Sequence, residues 1–221
     1  MEPNFSISEE NYIKSVYHLQ QQEGTVSTNA LAQHLKTAPA SITDMLKKLH
    51  AKRIVHYKPY KGFTLSKEGI RVALNVIRKH RLWEFFLVDT LRFSWEEVHE
   101  VAEQLEHINS TKLINKLDAF LNYPRFDPHG DPIPDSNGKI SAGTHLKLSK
   151  LPLNKPAVVI SVASQSADLL EFLKNCNIKI GTRMEITKRL GFDNSVEIKI
   201  KNRPLINVSE QLANAVNVKP V

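Results

Sequence analysis

Residues 27–65 read STNALAQHLKTAPASITDMLKKLHAKRIVHYKPYKGFTL, and the order of elements in this stretch decides the fold. Ser27 or Thr28 starts a short helix whose apolar face is Ala30, Leu31 and Leu35. Thr37, Ala38 and Pro39 break it; Pro39 suits the first turn of a following helix, where its missing N–H is no loss. That helix turns Ile42, Met45, Leu46 and Leu49 inward. Ile54, Val55, His56 and Tyr57, then Phe63, Thr64 and Leu65, form two short strands around a turn containing Gly62. Upstream, Ser8 caps a first helix whose apolar positions are Tyr12, Ile13, Val16, Tyr17 and Leu19. Three helices and a hairpin make a winged helix-turn-helix, expected over residues 1–72.

In that plan the helix after the turn enters the major groove of double-stranded DNA. Thr37, Pro39, Ser41 and Thr43 stand around its start, small enough for base edges or phosphates, with Lys47 and Lys48 further along. The wing, 57–63, offers Lys58, Tyr60 and Lys61 to the backbone or minor groove. From Lys36 to Lys61 seven Lys and Arg residues face one acid, Asp44, a balance that attracts a polyanion. The plainer alternative is a three-helix domain with solvated charges.

From Glu84 to Glu106 the balance reverses, with seven acids against Arg92. Within 28 residues stand His80, Glu84, His99, Glu103, Glu106 and His107. His80 and Glu84 fall one turn apart on one helix, and a capping box of Ser94 and Glu97 is expected to start another that brings His99, Glu103, Glu106 and His107 onto one face. Two such helices could converge on one or two cations. Carboxylates and imidazoles with no thiolate nearby favour Mn²⁺ or Fe²⁺ over the softer site of structural zinc. His99-Glu100-Val101-Ala102-Glu103 superficially resembles a helical zinc-hydrolase motif, but its second histidine is absent, so no enzyme is expected. A second alternative is a winged-helix repressor that ignores metal. Leu82, Trp83, Phe85, Phe86 and Leu87 are more apolar surface than one exposed helix carries, which suggests a homodimer. A further helix, opened by Ser110 or Thr111, runs through Leu113, Ile114, Leu117 and Leu121.

The remainder reads as a proline- and glycine-rich linker or ordered loop over 123–145, followed by a compact, mostly β module. Its β-like runs are 158–162, 183–187 and 195–200, with one short helix over 167–173. The chain is 221 residues long with a net charge of +7, 41% apolar residues and a single cysteine, Cys176, which has no internal disulfide partner. With no apolar run near the ~18 residues of a membrane span and no basic, apolar leader, the expected compartment is the cytoplasm, without membrane contact.

Arg78-Lys79-His80-Arg81-Leu82 with Glu84, then Val98-His99 through Glu103, Glu106 and His107, resembles the metal-dependent repressors of the DtxR/MntR family. Asp127-Pro128-His129-Gly130-Asp131-Pro132-Ile133-Pro134 is similar to that family's loop after the dimerisation helices. The resemblance implies a mainly α fold with β: the winged helix, a helical metal-binding dimerisation domain over 73–141, and an SH3-like, FeoA-type module over 146–221. It implies a homodimeric repressor that binds operator DNA when loaded with Mn²⁺ or Fe²⁺ and controls metal-uptake genes. It also implies one metal site at His80, Glu84 and His99 and another at Glu103, Glu106 and His107, with Asn11 as the ligand from the first helix. Glu103 leans the chain to manganese. Lys14 departs from the pattern, lying where some manganese-responding members place an acid.

Overall fold

The computed structural model describes residues 5–58, 62–95, 97–140, 146–162 and 167–221. It forms two compact units, one from 1–80, 104–111 and 134–139, the other from 81–103, 112–133 and 140–221.

In the first unit α1 (Ile7–Glu23) begins two residues earlier than its sequence suggests. Ser6, not Ser8, is the cap: its hydroxyl accepts the Glu9 N–H at 3.3 Å, and Glu9 Oε2 accepts the Ser6 N–H at 2.9 Å. Glu9 is then held by Lys52 at 2.6 Å and Lys48 at 3.2 Å, which fixes the register of α1 against the next helices. α2 (Thr28–His34) is capped by Ser27, and α3 (Pro39–Ala51) carries Pro39 in its first turn. The hairpin of β1 (Val55–Lys58) and β2 (Gly62–Leu65) follows. Val26 extends it as a third short bridge, exchanging both backbone bonds with Phe63 at 2.8 and 2.9 Å. Gly62 makes this possible: its φ is +97°, and a Cβ there would lie 2.4 Å from the Val26 carbonyl oxygen. Ile13, Val16, Leu31, Ile42, Leu46, Leu49 and Ile54 fill the core between these elements. This is the winged helix-turn-helix that the sequence predicts.

α4 (Lys67–Asp89) is a long helix whose start belongs to the first unit and whose end belongs to the second. In the second unit Leu82 packs with Ile114, Leu117, Leu121 and Ile133, joined by the half-buried Trp83, Phe85 and Phe86. α5 (Val98–Leu105) is short, and α6 (Thr111–Phe120) follows. Residues 123–140 are no slack linker, because Asp127 organises a turn and Asp127 N–H bonds to the Asp131 carbonyl at 2.9 Å.

The C-terminal part is a six-stranded antiparallel sheet in the order β3-β8-β4-β5-β6-β7. Its strands are β3 (Leu146–Lys147), β4 (Ala157–Val162), β5 (Arg183–Arg189), β6 (Val196–Ile200), β7 (Ile206–Val208) and β8 (Val216–Pro220). Val159, Ile186, Ile198, Val216 and Val218 pack with Leu170 and Leu173 of α7 (Ala167–Asn175) and with Leu212 of α8 (Glu210–Ala215). Each fully buried aliphatic side chain contributes about 2 kcal/mol of transfer free energy. The expected runs correspond to β4, β5 and β6, whereas β3, β7, α8 and β8 had no distinct signal in the sequence.

Candidate metal centre and DNA-binding surface

α1 places Glu10, Asn11 and Lys14 within one turn. Across from them Glu106, fully buried, takes His80 Nδ1 on Oε2 and Lys14 Nζ on Oε1, both at 2.6 Å. His107 Nδ1 meets Glu10 Oε2 at 2.6 Å, and its Nε2 lies 3.5 Å from Glu106 Oε1. Lys79 Nζ stands 3.6 Å from Glu10 Oε1. Burial works against the Glu106 charge, yet the His80 hydrogen bond and the Lys14 ammonium outweigh it and hold the carboxyl below its usual range. The Asn11 Oδ1 atom is buried and has no hydrogen-bond partner among the described residues. An orphaned, buried amide oxygen on the same helical turn as Glu10 suits a hard cation.

The four ligands expected on one helical face do not share one. α5 ends at Leu105, so His99 and Glu103 are helical while Glu106 and His107 lie in the turn beyond it. In place of a further helical turn, Glu106 makes two charge-assisted bonds at 2.6 Å, to Lys14 and His80. Glu103 is exposed on α5.

In the second unit the Glu84 carboxylate is fully buried, with Oε1 3.3 Å from His99 Nδ1 and Oε2 3.8 Å from His129 Nδ1. His80 stands one turn before Glu84 on α4. Asp127 Oδ1 accepts the N–H groups of His129 at 2.8 Å and Asp131 at 2.9 Å, while its Oδ2 faces Arg81 Nε at 3.6 Å. Arg81 also donates to the Pro132 carbonyl at 2.6 Å and lies 3.6 Å from Asp131. The His129 ring stacks on Trp95, with centroids 5.5 Å and planes 13° apart, and its Nε2 lies 3.3 Å from the Trp95 carbonyl oxygen. Burial, then the Glu84 and Asp131 charges, push the Asp127 carboxyl up to about 7 against the opposing Arg81. Burial opposes a charge on His129 too, but Glu84 and Asp127 prevail and raise its pKa. Glu84, Asp127 and His129 thus bring three oxygen and nitrogen donors together. Asp127 and His129 were not anticipated as members of this network; the signal was a histidine between two aspartates in a proline-bounded loop.

On the DNA-binding side, Pro39, Ser41, Lys47 and Lys48 are exposed, and Thr37 and Thr43 are partly so. Ala38 caps α3 without a side-chain hydrogen bond, leaving first-turn N–H groups for a phosphate. The Thr43 hydroxyl donates to the Pro39 carbonyl at 3.0 Å, and Lys48 is shared with Glu9, so Ser41 and Lys47 are the more available of these groups. Tyr60 and Lys61 of the wing lie outside the described residues. No described helix is long and apolar enough to cross a membrane.

Three family models match the chain: the iron dependent repressor N-terminal DNA binding domain over residues 4–63, the iron dependent repressor metal binding and dimerisation domain over 66–135, and the FeoA domain over 146–220. The iron-dependent repressor IdeR of Mycobacterium tuberculosis is 27% identical over 227 residues, covering 96% of each chain. An uncharacterised HTH-type transcriptional regulator of Methanocaldococcus jannaschii is 34% identical over 117 residues, 52% of this chain and 94% of that one. A solved manganese-dependent transcriptional repressor in complex with manganese superposes with a TM-score of 0.87 at 28% identity, over 96% of this chain and 100% of that one. With its winged helix, its dimerisation and metal-binding helices and its FeoA module, the chain belongs to the DtxR/MntR family of metal-dependent, DNA-binding transcriptional repressors and is a regulator, not an enzyme.

Proposed function

We propose that this chain acts in the cytoplasm as a homodimer that binds operator DNA when loaded with Mn²⁺, or with Fe²⁺ as the second choice, and represses metal-uptake genes. The domains run 1–72, 73–141 and 146–221. His80, Glu84 and His99 hold one cation; Asn11, Glu103, Glu106 and His107 hold the other. The bound cation supplies positive charge and a fixed coordination geometry.

The observation that carries this reading is the set of charged contacts between α1 and the turn at Glu106 and His107, with the oxygen of Asn11, next in sequence to Glu10, buried and without a hydrogen-bond partner among the described residues. α1 packs in the core that also holds α3, so whatever fixes Asn11 and Glu10 also fixes the recognition helix. Lys14 neutralises Glu106 in the absence of a cation and must yield the carboxylate when one arrives. Holding α1 in one position sets the spacing of the two recognition helices, about 34 Å apart for successive major grooves, and spares that ordering on DNA binding. Metal and DNA then reinforce each other's binding equally. Oxygen and nitrogen donors without sulfur favour manganese or iron, and Glu103 leans the choice to manganese.

The test is binding to DNA from the chain's own upstream region in EDTA, Mn²⁺, anaerobic Fe²⁺ and Zn²⁺. Binding with Mn²⁺ or Fe²⁺ only is expected. Equal binding in EDTA overturns the reading and favours a repressor that ignores metal.

A further inference from the structure

The Glu84 carboxylate presents each oxygen to a different imidazole, Oε1 to His99 at 3.3 Å and Oε2 to His129 at 3.8 Å. The two histidines are held very differently. His99 is 40% exposed on α5, whereas the His129 side chain is fully buried. The His129 ring is clamped on the Trp95 indole, its Nε2 is aimed at the Trp95 carbonyl, and its backbone N–H is tied to Asp127 Oδ1 at 2.8 Å. It therefore offers Nδ1 to Glu84 from a fixed position. Trp95 is itself pinned by its indole N–H, which donates to the Pro128 carbonyl at 2.9 Å.

The same residue is bonded to the C-terminal sheet. The His129 carbonyl accepts the Val162 N–H of β4 at 3.1 Å. Gly130 follows with φ +83°, and a Cβ on it would fall 1.8 Å from the Ile160 carbonyl oxygen, so the loop lies directly on β4 with no room for a side chain. β4 is an interior strand, paired with β8 on one side and β5 on the other.

We propose that His129 is a positioning residue: it fixes the plane of the Glu84 carboxylate for the cation and passes the state of that carboxylate to β4 and the C-terminal sheet. His129 Nδ1 stands 3.8 Å from Oε2, beyond hydrogen-bond distance but within ion-pair range, so its hold on that oxygen is electrostatic and Oε1 is left toward the His99 side for the cation. Partners that orient a ligating carboxylate typically account for 10- to 100-fold in metal affinity. This inference rests on the reading of Glu84 as a metal ligand.

The test uses the full chain and Mn²⁺ alone. Mn²⁺ affinity is read by calorimetry, and hydrogen exchange at the 157–162 amides is followed with and without Mn²⁺. Glu84→Ala comes first: loss of one Mn²⁺ site is expected, and an unchanged isotherm overturns the ligand reading itself. In the wild-type chain Mn²⁺ is expected to slow exchange at Val162. His129→Phe keeps the ring on Trp95 but removes both nitrogens; it is expected to weaken the Glu84 site 10- to 100-fold and to abolish the Mn²⁺-dependent slowing. His129→Gln, which retains an amide donor, is expected to recover part of the affinity. It also carries the comparison if His129→Phe melts early without metal. Wild-type affinity in both variants, with Glu84→Ala defective, overturns the positioning role. Exchange at Val162 that ignores Mn²⁺ in the wild-type chain overturns the link to the sheet.

Discussion

Lys14 Nζ and Glu106 Oε1 meet at 2.6 Å across 92 residues of sequence, an ammonium in contact with a fully buried carboxylate of the candidate metal centre. The side chain of Lys14 is itself only 13% exposed. Replacing it with an uncharged residue leaves Glu106, among the described residues, with His80 Nδ1 at 2.6 Å and His107 Nε2 at 3.5 Å. Lys14→Met is therefore expected to lower the metal-free melting temperature, by a stability loss on the order of 3 kcal/mol for one member of a buried pair. It is also expected to show a larger Mn²⁺-induced rise in melting temperature than the wild type. Thermal melts with EDTA and with Mn²⁺ check both; an equal Mn²⁺ response in the two proteins removes Lys14 from the metal equilibrium.

Glu103→Ala combined with His107→Ala is expected to abolish metal-dependent DNA binding while leaving the fold intact. Glu103 is exposed on α5, and Glu10 keeps Lys79 at 3.6 Å when His107 is gone. Fluorescence anisotropy on operator DNA, with circular dichroism as the control for folding, measures the effect. Undiminished Mn²⁺-dependent binding contradicts the ligand set.

Glu9 gives the winged helix an acid limit. Burial opposes its charge, but Lys52, the Ser6 N–H and Lys48 together hold its pKa at about 2 against an ordinary value of 4.5. A lowered carboxylate pKa stabilises the fold above the unfolded value, and that contribution is lost as pH falls from about 4.5 towards about 2. Its full size is on the order of 3 kcal/mol. Glu9→Gln is expected to be less stable at neutral pH and to lose less stability across that window, measured by urea unfolding at several pH values.

Lys47 and Lys48 are adjacent but are expected to differ. Lys47, 74% exposed and 3.7 Å from Asp44, is free to reach phosphate; Lys47→Ala should weaken all DNA sequences alike and reduce the salt slope by about one. Lys48 also holds Glu9 at 3.2 Å, so Lys48→Ala should additionally lower the stability of the free protein. Salt titrations of DNA binding, paired with urea melts, separate the two.

Gly62→Ala is expected to destabilise the wing by about 2 kcal/mol or more, since φ of +97° and a contact of 2.4 Å with the Val26 carbonyl leave no relaxed position for a methyl group. Urea unfolding measures it.

The winged helix was legible because its signals are local: Ser27, Pro39 and the apolar spacing of Ile42, Leu46 and Leu49 specify helices and a turn within a few residues of themselves. Caps were readable to within two residues, and Ser8 lost to Ser6 because only Ser6 stands three before a glutamate whose side chain can fold back. The face expected to hold His99, Glu103, Glu106 and His107 together is not formed: α5 ends at Leu105, and Glu106 bonds to Lys14 and His80, partners 92 and 26 residues away that local spacing does not reveal. His129 and Asp127 were invisible as a network because their partners Glu84, Arg81 and Trp95 lie tens of residues away. β8 was missed because its place is set by pairing with β4, 50 or more residues earlier, and by one buried hydrogen bond from Asn217 to Ser161 at 2.9 Å.

The interior position of β8 also sets a schedule for synthesis. All pieces of the winged helix lie between residues 5 and 65, so the nascent chain can assemble its DNA-reading head early. The six-stranded sheet has its last-made strand between β3 and β4, and it stays open until residue 220 has left the ribosome. Until then β4 presents an unpaired edge, the state in which such sheets are most open to misassembly. The C-terminal module is therefore the part of the chain that completes its pairing last.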